Sequence, residues 1–97
     1  MPIFMMFGKY TSEAAKGISS GRTEEAMGVI KQHGGKVVSM YAVLGQHDLV
    51  LTLDLPDTEA ALGASADLNR LTGISFVTSP VVEVEKFDRL IQEAKDI

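Results

Sequence analysis

The spacing of apolar residues alternates along the chain between a period of two and a period near 3.6, and each change marks an element. In residues 2–9 (PIFMMFGK), Ile3, Met5 and Phe7 alternate with Phe4 and Met6, so both sides are greasy. Such a strand belongs in the middle of a sheet whose two faces are both covered. From Thr11, a candidate N-cap, the pattern turns helical, breaks over 17–21 and resumes at Arg22. Ala26, Val29, Ile30 and His33 then share a face until Gly34-Gly35 stops it. This predicts one interrupted helix.

Residues 36–44 (KVVSMYAVL) read as a second strand, Gly45-Gln46-His47 as a tight connection, and residues 48–55 as a third strand. In the third, Leu49, Leu51, Leu53 and Leu55 face one way while Asp48, Val50, Thr52 and Asp54 face the other. Pro56 ends it and Asp57 or Thr58 caps a helix whose buried stripe is Ala61, Ala64, Leu68 and Leu71, closed by Gly73. Residues 74–82 (ISFVTSPVV) form a fourth strand, and its Pro80 requires an edge position or a bulge. Residues 85–94 finish the chain as a short amphipathic helix with Phe87, Leu90, Ile91 and Ala94 expected inward.

The order strand, helix, strand, strand, helix, strand, helix is the split pattern of an α+β, ferredoxin-like domain spanning residues 1–97, with both main helices on one face of a four-stranded antiparallel sheet. Either Phe4 and Met6 or the set Ile3, Met5 and Phe7 must then lie on the face without helices, joined by Val50. Leaving such a patch in water forfeits roughly 1.5 to 3 kcal/mol for each large side chain, so a second copy of the sheet is the expected cover. The reading is a homodimer or a higher homo-oligomer, closed as a dimeric α/β barrel.

Composition narrows the function classes. A net charge of −4, with Lys and Arg only isolated along the chain, speaks against nucleic-acid binding. With no cysteine, disulfides, thiolate metal sites and thiol nucleophiles all drop out, which fits a reducing cytoplasmic setting. The apolar start is too short for a spanning helix and has no charged leader, so no membrane segment is expected. No glycine spacing matches a phosphate loop, and two histidines, one at a helix end and one in a turn, suggest no catalytic triad.

Few residues carry candidate chemistry. Asp48 at the mouth of the hairpin can hold the turn by accepting backbone N–H groups, or can anchor a ligand amine or hydroxyl between protomers. Gly45 supplies a backbone position with φ above zero. His47 can bind a ligand near neutral pH, while His33 at a helix C-terminus reads as structural. About nine extended residues at roughly 3.3 Å each separate the two histidines, which excludes a shared metal within one chain. No third ligand is visible, and no cofactor is named by any residue set. Tyr10, Tyr41, Thr78 and Ser79 could present hydroxyls to a cavity between sheet and helices, or serve only as packing and bulge residues.

The run Tyr41-Ala42-Val43-Leu44-Gly45-Gln46-His47-Asp48-Leu49-Val50, followed by Leu55-Pro56-Asp57 and an Ala-rich helix, resembles the GYD domain family, small proteins named for a Gly-Tyr-Asp signature. The aromatic position of that signature is His47 here. The resemblance implies a ferredoxin-like, dimeric α/β-barrel architecture of unassigned biochemical function. The Gly45 to Asp48 hairpin and the run Gly73-Ile74-Ser75-Phe76-Val77-Thr78-Ser79 also look like the effector-sensing domain of leucine-responsive transcription regulators, in which equivalent loops line amino-acid pockets between protomers. That likeness implies a small-metabolite site at Gly45, Gln46, His47, Asp48 and Thr78. No helix-turn-helix is expected with the domain, so a sensing role would imply a separate partner. The leading expectation is a self-associating, small-metabolite-binding module. The alternative is a small dimeric enzyme of oxygenase or isomerase type with its pocket between sheet and helices.

Overall fold

The computed structural model describes residues 2–95. Their elements run in the order β1 (Ile3–Lys9), α1 (Ser12–Lys16), α2 (Ser20–Gln32), β2 (Lys36–Ala42), β3 (Leu49–Asp54), α3 (Thr58–Thr72), β4 (Ser75–Val81) and α4 (Val84–Lys95). The strands make one antiparallel sheet in the order β2-β3-β1-β4, a ferredoxin-like α+β arrangement with β1 and β3 central. Pro80 sits on the edge strand β4, where its missing N–H does no harm.

Short polar contacts set the helix boundaries. Thr11 Oγ1 accepts the Ala14 N–H at 3.0 Å and starts α1, and Ser19 Oγ accepts the Arg22 N–H at 3.0 Å and starts α2. The interrupted helix is therefore two helices, each with its own cap. Asp57 Oδ1 caps α3 through the Ala60 N–H at 2.8 Å. Gly73 closes it at φ 74°, a left-handed conformation that a Cβ would oppose.

Alternation along the strands sorts the core. Phe4 pairs with Leu53 and Met6 with Leu51, and all four point toward Ile30 of α2 and Ala61 and Leu68 of α3 to form one buried cluster with Leu55. At roughly 1.5 to 3 kcal/mol for each large side chain, this burial fixes α2 and α3 on that face. The opposite side of the sheet carries Ile3, Met5 and Phe7, flanked in register by Val50 and Thr52 of β3 and by Val77, Ser79 and Val81 of β4. None of these side chains is buried. Of the two sets that could have faced away from the helices, the structure selects this one.

Several expectations are corrected. The stripe of α3 ends on buried Thr72 rather than on Leu71, which is exposed. Three turns at 3.6 residues each span about eleven residues, which carries the face from Ala61 to Thr72. The Thr72 hydroxyl tolerates burial because it donates to the Leu68 carbonyl at 2.7 Å and accepts the Ile74 N–H at 3.0 Å. Met27 of α2 is about half exposed. The hairpin connection is residues 43–48 rather than three residues, with Leu44 at its tip fully in solvent.

The largest departure is α4. Phe87, Leu90 and Ile91, expected inward, are about half exposed, and Ala94 is exposed as well. The helix makes almost no contact with the other elements. The radius of gyration is 15.2 Å, against about 12.5 Å for a compact chain of this length. Helical periodicity specifies an apolar face but not the surface that covers it.

Candidate functional site

The hairpin between β2 and β3 is anchored by its last residue. Asp48 N–H donates to the Gly8 carbonyl at 2.8 Å, the Asp48 carbonyl accepts the Val43 N–H at 3.0 Å, and Asp48 Oδ2 accepts the Tyr10 N–H at 2.8 Å with Lys9 Nζ at 3.7 Å. The carboxylate thus continues the β1–β3 ladder beyond its last backbone pair. Of the two roles open to Asp48 in the sequence, holding the turn is the one its contacts occupy. Gly45 stands at φ 124° with open space around it, and Gln46 is exposed. The His47 ring lies 5.1 Å from that of Phe7, which places it against the open face of the sheet.

Thr78 does not join this group. It pairs in register with Met6, whose side chain is in the core, so its hydroxyl points toward α3 and shares a short hydrogen bond with Ser65 Oγ. The structure brings Gly45, Gln46, His47 and Asp48 together at one end of the sheet and leaves Thr78 on the helix side. His33 is spent elsewhere: its Nε2 bonds Asp67 Oδ2 at 2.7 Å across the packing of α2 on α3. Among the described residues no three His, Cys, Asp or Glu side chains gather to hold a metal ion. Nor is any helix among them long and apolar enough to cross a membrane.

A second place of interest lies between sheet and helices, where a cavity was expected with Tyr10, Tyr41, Thr78 and Ser79 beside it; of these four only Tyr10 lines it. A cavity of about 50 Å³ lies between α2 and the sheet, walled by Met40, Leu49, Leu51, Leu68, Ile74 and Phe76. Tyr10, Arg22 and Thr23 stand at its polar rim. The signal for Arg22 was present. Counting in helical steps, residue 22 falls on the same stripe as Ala26, Val29, Ile30 and His33, and a cation on an apolar stripe asks for a reason.

The model of the GYD domain matches residues 4–91. No curated protein matches the chain. Among solved structures, the chain is similar in fold to the leucine response regulatory protein of Mycobacterium tuberculosis, with a TM-score of 0.56 at 10% identity. The likeness covers 84% of this chain and 51% of that protein, so the chain spans about half the length of the regulator. At that identity the resemblance is one of fold alone. The family match spans nearly the whole chain, including the hairpin and all four strands, and the chain belongs to the GYD domain family.

Proposed function

We propose that this chain is a self-associating module that pairs through the open face of its sheet and holds a small metabolite at the hairpin end of that interface. One observation carries the reading: Ile3, Met5, Phe7, Val50, Val77 and Val81 form a mostly apolar face, interrupted by Thr52, Asp54 and Ser79, in which none of these side chains is buried. Surfaces of this kind on folded chains are covered by partners. A second copy fits because a two-fold axis lets the same twisted face meet itself. α4 supports the same reading, since Val84, Phe87, Leu90 and Ile91 of its apolar stripe are about half exposed or more, and a paired copy would cover them. The hairpin lies at the edge of this surface, with His47 against Phe7 and with Gln46 and Gly45 open beside it, so pairing would wall in these groups.

The test is sedimentation at micromolar concentration. Val50→Glu places a charge in the middle of the open face, between Phe7 and Tyr41. In a lone subunit a change at this unburied position moves stability little, whereas across a paired sheet it leaves charges facing apolar groups. The expected result is a dimeric wild type and a folded, monomeric variant; a wild type that sediments as one subunit at tens of micromolar would end the proposal. The metabolite arm is a thermal-shift panel, in which a ligand adds about RT ln(1 + [L]/Kd). His47→Ala and Gln46→Ala should remove that gain. Asp48 is unsuitable for this arm because its carboxylate supports the fold.

A further inference from the structure

We propose that the cavity between α2 and the sheet is a second binding site, one for a short-chain monocarboxylate whose anionic end is held by Arg22 and whose hydrocarbon tail fills the space above Leu51 and Phe76. The site lies on the helix side of the sheet, within one protomer, and does not depend on pairing. Its walls are aliphatic and aromatic, and its one buried polar side chain, Thr72, already donates to Leu68 and accepts from Ile74. A cavity of about 50 Å³ has room for roughly four waters, but waters need polar partners, and these stand only at the rim and at the already bonded Thr72. A four-carbon tail suits it better.

The rim supplies the charge. Arg22 is half-buried, and its guanidinium is fixed on three sides. Nη1 donates to the carbonyl of Ala14 in α1. The plane sits 5.8 Å from the centre of the Tyr10 ring. Gly17 leaves the space for it, since a Cβ there would stand 2.9 Å from Nη1. Among the described residues no carboxylate lies within ion-pair reach of Arg22, and a guanidinium has five donors, most of which this contact leaves available. A cation held rigid and partly desolvated without a counter-charge is a ready partner for a carboxylate. The first turn of α2, three residues after its Ser19 cap, adds a favourable dipole. One cation suits a monoanion. A phosphate dianion would bring a second charge to an apolar mouth that has nothing to meet it.

Calorimetry and amide-shift titration on the full chain, with sodium pentanoate as the probe, test this. Pentanoate should bind once per chain, with an affinity independent of protein concentration, and should shift the amides of Arg22, Leu51 and Phe76. Pentanamide, the neutral counterpart, should bind about ten-fold more weakly or worse. Acetate, lacking three methylenes, should bind roughly fifty-fold more weakly. Arg22→Gln should abolish binding, and Arg22→Lys should restore only part of it because it keeps the charge and loses the fork. Arg22 also ties α1 to α2, so a second variant guards against a merely structural effect. Ala26→Leu, which fills the cavity from α2 and leaves the cation in place, should block pentanoate without lowering the melting temperature. Failure of the wild type to bind pentanoate, equal binding of pentanamide, or retained binding in a folded Ala26→Leu would each overturn the assignment.

Discussion

Gly63→Ala gives a sharp reading of what His33 does. Gly63 lies within α3 beneath the His33 ring, and a Cβ built there would meet His33 Cε1 at 2.7 Å and Nδ1 at 3.0 Å. The ring cannot simply swing away, because Nε2 is bonded to Asp67 Oδ2 at 2.7 Å. In a helix interior Ala is favoured over Gly by about 1 kcal/mol. Against that stands overpacking of about 1 to 3 kcal/mol, including a His–Asp bond held to about 1 kcal/mol because the Asp67 side chain is 43% exposed. The substitution should therefore destabilise the wild type by about 1 kcal/mol. In a His33→Ala background the space is vacated, and the same substitution should stabilise by about 1 kcal/mol. The two sites are then coupled by about 2 kcal/mol. Urea denaturation of the four proteins, at one fixed protein concentration so that association does not enter, measures this directly. If Gly63→Ala stabilises both backgrounds equally, to within about 0.5 kcal/mol, the ring does not pack on Gly63 and the reasoning fails.

Two further outcomes are expected. Asp48→Ala leaves the part-buried Tyr10 N–H without its acceptor and should destabilise the fold by about 1 to 2 kcal/mol, with faster hydrogen exchange at Tyr10, while Asp48→Asn should retain most of the stability; an Ala variant as stable as the wild type would show that the bond contributes nothing. Phe87→Glu on α4 should leave the circular dichroism of the protomer unchanged, because the side chain is half exposed and packs on almost nothing of its own, yet it should weaken association at least about ten-fold; an unaltered sedimentation profile would remove α4 from the interface.

What could be read from the sequence and what could not divides along the range of the interaction involved. The leucines of β3 alternate strictly, so their facing was legible, and the two-sided β1 had to be central. The cap Thr11, a cap at Asp57 or Thr58 and the Gly73 stop were legible because each rests on backbone groups a few residues away, while Pro80 left an edge position or a bulge open until the strand order chose the edge. Asp48 is different. Its acceptor role depends on Tyr10, 38 positions earlier, and Thr78 depends on Ser65, which the sequence gives no reason to bring near it. A hydroxyl or carboxylate carries no mark of which long-range partner will claim it, so a list of polar residues near a hairpin mixes those already used with those still available.

The same limit governs α4 and Arg22, in opposite directions. Periodicity gave α4 an apolar face, and the assumption that the chain itself covers every such face pointed it inward. Among the described residues that assumption fails, since the apolar stripe of α4 is about half exposed and no side chain on the outer side of the sheet is buried. Arg22 carries a charge, which favours water, yet its step along α2 puts it on the stripe of Ala26, Val29 and Ile30. Each case sets composition against position. Where the two disagree, we assign the apolar face to a second copy and the half-buried cation to a carboxylate, since each feature carries a free-energy cost that such a contact would offset.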